Sequence, residues 1–412
     1  MKHEKMNYTY VGVDSHKDTH TAVFIDCFFE KLGEVSFGNR PSEYPAFLKE
    51  AEKLKTDGTE LMFGLEDVSS YGRTLMTFLK TEGVLVKHVN ALLVARERKN
   101  QNTFEKTDSL DAECAARVLL SKLSELPDAD PQDMYWILRT LVVRRKFIVK
   151  NNTCLKNHLH TLLTQHYPGY GSFFSSIDGK TSLAFFYRFP SPCTLAGVTE
   201  EELTAFLKEA SDGKIGAAKA RLILDSLEDT TAPFQEMRDM AVRSAIRQIE
   251  FNITEMDRIE AHMAGFLERF DCTLTSMTGI EVVTAAGLLS CIGDIKKFPT
   301  PAKLARYSGV APVTYASGRK DLKLANQRGN RELHSLFYGL AVRLASTVGS
   351  TNKVINPFFY EYYHRKISEG KTKRQALKCV ERRLVNIIWT MLTNGEEYIN
   401  PPMYDAPKNG RK

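Results

Sequence analysis

The sequence predicts a mixed α/β domain at the N-terminus, a long helical region in the middle and a compact helical domain at the C-terminus. Short apolar runs alternate with helical segments before Asn100, whereas the residues after Leu110 show helical spacing over long stretches. The first pattern is typical of a sheet covered by helices and the second of a helical region. At 412 residues, the chain is long enough for two or three domains.

The first part of the chain predicts five strands. Three meandering strands are indicated by YTYVGVD, THTAVFID and GEVSFGN, which are rich in Val, Tyr, Phe and Thr. SEYPAFLKEAEKL has helical spacing, and Ser42 stands where an N-cap residue is expected. ELMFGLE is short and apolar like a buried strand, SYGRTLMTFLKTEG predicts a helix ending at Gly83, and VLVKHVN predicts a further strand.

Two long helices are predicted in the middle of the chain. The stretch from Asp133 to His166 is free of Gly and Pro. A second stretch shows a heptad pattern, whose two seam positions hold Val242, Ile249, Met256 and Met263, and Ala245, Asn252, Ile259 and Phe266. This pattern predicts a coiled coil or a long antiparallel pair, with a helix packed inside one domain as an equal alternative. A coiled coil is also compatible with a homo-oligomer, either a dimer or a tetramer.

The composition is that of an ordinary globular protein, with 43% hydrophobic and 26% charged residues. The seven cysteines are scattered without a C-x-x-C pair, so neither a zinc site nor a disulfide framework is indicated. A reducing cytoplasm is the expected location. No signal peptide and no membrane-spanning run are expected, because no long apolar stretch is present.

Basic residues are concentrated along the chain, although the net charge is only +6. No Asp or Glu occurs from Met134 through Ile177, and that window holds Arg139, Arg144, Arg145, Lys146, Lys150 and Lys156. The C-terminal third carries Arg319, Lys320, Lys323, Arg328 and Arg331, and later Lys371, Lys373, Arg374, Lys378, Arg382 and Arg383. Separate basic blocks favour an extended polyanion as a partner. Any single cluster is also explained by a solvated helix face.

Four carboxylates are expected to converge. Asp14 and Glu66 end two predicted strands, and Asp108 and Asp111 share one face of a predicted helix. Two charges 4 Å apart repel by about 4 kcal/mol at an effective dielectric near 20, and Mg²⁺ or Mn²⁺ bound by oxygen ligands removes that repulsion. The alternative gives each acid a local role, with Asp14 in a strand-end turn and Asp108 as a helix cap.

The chain resembles the DEDD transposases of insertion sequence family one hundred and ten, also described as bridge-RNA-guided recombinases. The residues that carry the resemblance are VGVDSHKDTHTAVFID, GLEDVSSYG, KTDSLDA and the segment from TGIEVVTAAGLL to SGRKDLKLANQRGNRELH. The resemblance implies a RuvC-like, ribonuclease-H-type domain with a basic trailing helix (1–165), a linker and coiled-coil helices (166–270) and a transposase domain (271–412).

The resemblance also implies the site residues. The four catalytic, metal-binding acids correspond to Asp14, Glu66, Asp108 and Asp111, and the catalytic serine corresponds to Ser317. By sequence alone a Ser-Gly step is an ordinary turn; the resemblance makes Ser317 a nucleophile. The basic residues around it suit phosphate binding. A Gly-Asn-Arg signature follows at Gly329, Asn330 and Arg331.

These expectations define a transposase that cleaves and exchanges DNA strands of a mobile element through a phosphoserine intermediate in a prokaryotic cytoplasm. Its partners are donor and target DNA and a structured non-coding guide RNA. One alternative is a metal-only nuclease of the Holliday-junction type, which needs the acids but not Ser317. Another is a non-catalytic nucleic-acid-binding scaffold.

Overall fold

A computed structural model describes residues 3–66, 71–101, 105, 107–129, 134–167, 169–227, 233–317, 320–324, 326, 329–349 and 352–400, without the side chains of 166, 314–317, 320–323 and 348. The chain forms two compact units, residues 1–134 and 135–412. Each unit is described by itself below. The division into three domains at 165 and 270 stays a prediction.

The first unit is built on a five-stranded mixed sheet with the order β3-β2-β1-β4-β5. Its strands are β1 (Tyr8–Ser15), β2 (Thr19–Ile25), β3 (Lys31–Gly38), β4 (Glu60–Glu66) and β5 (Leu85–Val89). The first three strands are antiparallel, whereas β4 runs parallel to β1 and β5 parallel to β4. All five predicted strands are present, and this arrangement is compatible with a ribonuclease-H-type domain.

Helices cover both faces of this sheet. They are α1 (Tyr44–Leu54), α2 (Arg73–Thr81), α3 (Ala91–Asn100) and α4 (Asp108–Ser121). Residues of α1 and α2 pack in one core with Val11 and Phe63, and α4 packs on the other face in a core with Tyr10 and Met62. The period-two alternation of β1 sends neighbouring side chains to these two opposite cores.

The prediction for the start of α1 is wrong. Its N-cap is Glu43 rather than Ser42, and no side chain caps the helix there. The Glu43 carboxylate instead accepts a hydrogen bond of 2.8 Å from the backbone N–H of Gly38. This contact ties the start of α1 to the end of β3.

The second unit is mainly helical. Its helices are α5 (Met134–His166), α6 (Lys180–Arg188), α7 (Glu200–Ala210), α8 (Ala217–Asp225), α9 (Gln235–Arg269), α10 (Val282–Ile292), α11 (Pro301–Tyr307), α12 (Arg331–Ala345), α13 (Pro357–Ser368) and α14 (Lys373–Asn394). It also contains two small sheets that were not predicted, one formed by β6 (Val313–Ser317) and β7 (Lys320–Leu324) and one by β8 (Thr347–Val348) and β9 (Lys353–Val354).

The two long helices α5 and α9 pack against each other in opposite directions. Arg145 pairs with Glu260 at 2.6 Å, and the buried Asn252 donates to the buried Asn152 at 3.4 Å. The predicted seam of α9 is its inward face, since only Met256 and Phe266 of its eight residues are not fully buried. This packing is an antiparallel pair inside one unit, and a coiled coil between chains is not confirmed.

The membrane prediction can be compared with the helices directly. Within the ranges given above, the structure contains no helix that combines the length and the apolar character needed to cross a membrane.

Candidate active site

Two parallel strands bring the first two predicted acids together. Asp14 of β1 is the register partner of Glu66 of β4. Register partners on adjacent strands point to the same face and lie about 5 Å apart. Both residues are partly exposed at the strand ends. The sheet therefore brings the backbones of Asp14 and Glu66 side by side, and a shared metal site at these two acids stays a prediction.

A pair of glycines lets α4 approach this part of the sheet. Gly12 and Gly64 are register partners two residues before the two acids. A Cβ atom on Gly12 would lie only 2.0 Å from the backbone oxygen of Ala112 in α4. A Cβ on Gly64 would lie 2.9 Å from Val89 and 3.1 Å from Leu119. The backbone of α4 therefore rests directly on β1 at Gly12, and the Leu119 side chain of α4 packs against Gly64 on β4.

The N-terminal turn of α4 supplies the other two acids. Thr107 caps the helix by accepting a hydrogen bond from the Leu110 N–H, so Asp108 is the first helical residue and not the cap. The N-terminal end of a helix favours negative charge. Asp108 is exposed, whereas Asp111 is buried and its carboxylate is paired with the Arg98 guanidinium of α3.

His16 joins the acids, although the sequence analysis did not select it. Its Nε2 atom lies 3.1 Å from Asp14 Oδ2 and 3.2 Å from Asp108 Oδ1. One ligand atom from each of these three residues lies within 4.8 Å of the other two. Glu66 and Asp111 are not part of this closest group. The signal in the sequence was the D-x-H spacing just after the first strand.

The local electrostatics favour a bound cation. Burial raises the pKa of the Asp14 carboxyl above its usual value, and the charges of Asp111 and Asp108 raise it further, while His16 opposes the shift. A divalent cation would compensate this concentration of negative charge. Carboxylate oxygens with one imidazole nitrogen suit ions such as Mn²⁺, and carboxylates alone suit Mg²⁺. The residues present therefore fit a divalent metal ion.

Ser317 lies in the second unit, at the end of β6. Its backbone pairs with that of Lys320, the first residue of β7. The side chains of Ser317, Lys320 and Lys323 lie outside the described part of the structure, as do Arg319 and Arg328 altogether. The hairpin is therefore defined only as a backbone feature.

The Gly-Asn-Arg signature has a structural explanation. Gly329 lies against Gly309, and a Cβ on Gly329 would be 2.4 Å from the Cα of Gly309. Asn330 caps α12 by accepting a hydrogen bond of 3.0 Å from the Leu333 N–H. Its own N–H donates to the Tyr307 carbonyl at 2.7 Å. Arg331 is exposed as the first residue of the helix.

Most of the predicted nucleic-acid-binding cations of α5 make ion pairs inside the second unit. Arg139 and Lys146 both pair with Glu332 of α12, and Arg145 pairs with Glu260. Lys156 pairs with Asp178 at 2.8 Å. Arg144 and Lys150 are exposed, and no carboxylate pairs with them among the described residues. With respect to the described residues, Arg144 and Lys150 are thus the cations of α5 whose charge is uncompensated.

Comparison with known proteins gives a consistent result. A family model described as Transposase, that of the IS110 DEDD transposases, matches residues 11–168, and one described as Transposase IS116/IS110/IS902 family matches residues 272–363. The chain is 27% identical to the IS110 43.6 kDa protein of Streptomyces coelicolor, with 94% of this chain and 95% of that protein covered. It is 25% identical to the IS116 44.8 kDa protein of Streptomyces clavuligerus, covering 95% and 96%. It is 23% identical to the transposase for IS1111A of Coxiella burnetii, covering 94% and 90%.

Proposed function

The chain belongs to the IS110 transposase family, and on that premise we propose that it cleaves and rejoins DNA strands of a mobile element with a metal-binding acidic site and a serine nucleophile. The enzyme is a DNA transposase. The proposed part is the chemistry: Asp14, Glu66, Asp108 and Asp111 hold divalent metal, and Ser317 attacks the phosphodiester.

The observation that carries this proposal is the close group formed by Asp14, His16 and Asp108. Glu66 is the register partner of Asp14, and Asp111 lies in the same first turn of α4 as Asp108. The four acids belong to different parts of the chain. They come from β1, β4 and the first turn of α4, three elements that are far apart along the chain. Local roles in turns or caps do not explain this arrangement, because Thr107 and not Asp108 caps α4. Convergent carboxylates with a raised pKa at Asp14 are typical of a functional site.

In the proposed reaction, the Ser317 oxygen attacks phosphorus and the bond to one ribose oxygen breaks. The serine proton leaves to a base, and the departing oxygen receives a proton. The phosphoserine bond keeps the energy of the broken phosphodiester, so rejoining requires no nucleotide cofactor. A divalent ion held by the acids would supply charge stabilisation and would activate a hydroxyl group. The acids position that ion, and basic side chains bind the phosphate oxygens.

Donor and target DNA, a guide RNA and a homo-oligomer complete the proposal. DNA as a partner is supported by the family and by the exposed cations Arg144, Lys150 and Arg331. The guide RNA and the homo-oligomer are proposed from the sequence resemblance alone. Sequencing of RNA that co-purifies with the full-length protein tests the guide. A discrete non-coding RNA from beside the gene is expected, and random cellular RNA contradicts a guided mechanism.

Trapping a covalent protein–DNA adduct tests the catalytic assignment. Wild-type protein with labelled element-end DNA and Mg²⁺ or Mn²⁺ is expected to give an adduct that survives denaturing gels. Ser317→Ala is expected to abolish the adduct while keeping DNA binding. The exposed Ser346→Ala is the matched control and is expected to react normally.

Two further outcomes separate the alternatives. Cleavage that persists in Ser317→Ala and disappears in Asp14→Asn identifies a metal-only nuclease of the Holliday-junction type. Cleavage that is absent from the wild type with both metals, although DNA still binds, identifies a non-catalytic scaffold. Asp18→Asn, at an exposed position near Asp14, controls for the loss of a charge on this surface.

A further inference from the structure

The second unit contains a cleft of about 1670 Å³ whose lining includes six Lys and Arg side chains among polar and apolar residues. Its walls are formed by α11, α14 and the residues after α14, and they carry Lys303, Arg306, Arg374, Lys378, Arg382 and Arg383. The carboxylates on this lining belong to Glu396 and Glu397. Sites for small molecules typically measure about 300–1,000 Å³, so the cleft suits a larger ligand.

The charge of this cleft is mostly uncompensated. Lys378 pairs with the fully buried Glu381 at 2.7 Å. For the other five cations, the described residues offer no carboxylate at ion-pair distance. This differs from α5, where four of the six predicted binding cations make ion pairs. Uncompensated cations in a concave surface concentrate the field and attract an anionic ligand.

Arg382 provides an independent sign of a missing acceptor. One of its guanidinium nitrogens, Nη1, is enclosed by protein and has no hydrogen-bond partner among the described residues. Leaving an enclosed donor without a partner is unfavourable in free energy. A phosphate oxygen in the cleft would accept this hydrogen bond and recover that free energy. The wall thus has a specific place for an anionic oxygen, in addition to a general positive potential.

Aromatic and apolar groups accompany the cations. Tyr362 lies on the lining, and the Arg383 guanidinium sits 5.1 Å from the centre of its ring. Val310, Ile387 and Met391 add apolar surface. Charged grooves with aromatic side chains bind single strands, whose phosphates and unstacked bases need both kinds of contact. Duplex DNA is instead read by a helix or ribbon that inserts into its groove, which a concave cleft cannot do.

The cleft also adjoins the hairpin that carries the serine. Leu324 lies on the lining and is the register partner of Val313, at the open end of the β6–β7 hairpin. Ser317 is four residues further along β6, a distance of about 13 Å in an extended strand. The lining of the cleft therefore ends within about 13 Å of the backbone of the proposed nucleophile, measured along β6.

We propose that this cleft binds the phosphate backbone of a single nucleic-acid strand and guides it toward the β6–β7 hairpin. The proposed binding of a strand is argued from the cleft alone, whereas the proposed guiding of the reacting strand rests on the proposed function above. Single-stranded DNA and RNA share the required backbone chemistry, and duplex DNA serves as the excluded ligand.

Fluorescence anisotropy with labelled oligonucleotides in EDTA tests this site in the full-length protein. Single-stranded DNA, single-stranded RNA and duplex DNA of one sequence are titrated over a range of salt concentrations. Arg374→Ala/Arg382→Ala is expected to weaken single-strand binding at least tenfold. It is also expected to reduce the slope of log K against log salt by about 1.4, because each single-strand phosphate contact contributes about 0.7. The two single-stranded oligonucleotides are then compared. The one whose affinity falls more in this variant, DNA or RNA, is identified as the natural ligand of the cleft.

Two matched variants make the test decisive. Lys208→Ala/Lys214→Ala removes two exposed cations of the same unit away from the cleft and is expected to leave the slope unchanged. Glu396→Gln/Glu397→Gln removes the negative charges of the lining and is expected to tighten single-strand binding. This variant tests the proposal even if the arginine variant misfolds. The proposal is overturned if the arginine variant binds single strands with wild-type affinity, or if the lysine control loses as much affinity as the arginine variant. It is also overturned if the arginine variant loses affinity for duplex DNA only. Because the titrations contain EDTA, they measure binding without catalysis. A failure of the proposed reaction would therefore not change the measured affinities or salt slopes.

Discussion

His16 shows how a single side chain changes the chemistry of the acidic site. It lies within hydrogen-bond distance of both Asp14 and Asp108, so it connects the end of β1 to the start of α4. An imidazole nitrogen is a better ligand for Mn²⁺ than for Mg²⁺, which prefers oxygen. The identity of this residue therefore bears on which divalent ion the site prefers.

Replacing His16 tests that preference. His16→Ala is expected to weaken Mn²⁺ binding about tenfold or more and Mg²⁺ binding much less, because only the nitrogen ligand is lost. Isothermal titration of the full-length protein with each ion measures both affinities. The exposed neighbour Lys17→Ala is the control. Equal Mn²⁺ affinities for His16→Ala and the wild type would show that His16 is not a ligand.

His20 predicts a specific dependence of stability on pH. It is fully buried beside Phe37, and burial lowers the pKa of its imidazole below the usual 6.5. The unfolded chain therefore binds this proton more readily than the folded chain, so stability is lost as the pH falls below about 6.5. The loss reaches at most about 1.4 kcal/mol per pH unit for one proton.

Denaturant unfolding between pH 7.5 and 5 measures this effect. His20→Phe is expected to remove the part of the acid sensitivity that comes from this residue, whereas the exposed His262→Ala is expected to keep it. The same pH dependence in His20→Phe and the wild type would assign the acid sensitivity to other groups.

At the scale of elements, the position of α4 decides the geometry of the site. The sheet alone brings together Asp14 and Glu66, and Asp108 and Asp111 join them only because α4 rests on Gly12 and Gly64. The helix start is fixed by Thr107 and the pairing of Asp111 with Arg98. The site therefore depends on the contact between helix and sheet as much as on its acids.

Gly12→Ala tests this dependence. The new methyl group would overlap the backbone of α4, and overpacking of this kind costs about 1–3 kcal/mol. Metal affinity is also expected to fall, because the helix must move away from β1. Gly265→Ala in α9 is the control, since a Cβ there meets nothing within 4 Å and Ala stabilises a helix by about 1 kcal/mol. If Gly12→Ala is destabilised but binds metal as tightly as the wild type, the metal affinity does not depend on the position of α4.

The contact between Asn152 and Asn252 gives a second prediction at this scale. Asn252→Ala is expected to cost about 1–3 kcal/mol in unfolding free energy, because it leaves a buried amide of Asn152 without its partner. Asn152→Leu/Asn252→Leu is expected to restore stability, since neither polar group then remains. Denaturant unfolding of the single and double variants measures the coupling, and simple additivity would show that the amides do not interact.

The sequence predicted elements better than their contacts. All five strands of the first unit were predicted, because β-branched and aromatic residues alternate there and the flanking turns are short. The β6–β7 hairpin was missed, because its few residues are mostly polar and lie between helices. The partners of the α5 cations were also hidden, since Arg139 and Lys146 pair with Glu332 at sequence separations of 193 and 186. Such pairs depend on tertiary packing, which a local pattern does not contain.

For the whole molecule, the division into two units separates the acidic site from the serine hairpin along the chain. All four acids, His16 and both faces of the five-stranded sheet belong to residues 1–134. The hairpin and the cationic cleft belong to residues 135–412. Each unit contains its own hydrophobic core, as expected for parts that fold independently.

A fragment of residues 1–134 is therefore expected to unfold cooperatively and to bind Mn²⁺ within about threefold of the full-length protein. Circular dichroism melting and isothermal titration measure these properties. The Asp14→Asn form of the same fragment controls for non-specific binding. A fragment that folds but does not bind Mn²⁺ would show that the second unit contributes to the metal site.

The absence of side chains at Gly12 and Gly64 has a consequence for protein engineering. A designer who transplanted only the four acids and the histidine to another sheet would copy the reactive groups without the recess that seats their helix. The minimal portable module is therefore two Gly-x-acid strand ends with a capped helix lying across them. Searches of uncharacterised genomes for such catalysts gain selectivity when they require the two small residues together with the acids.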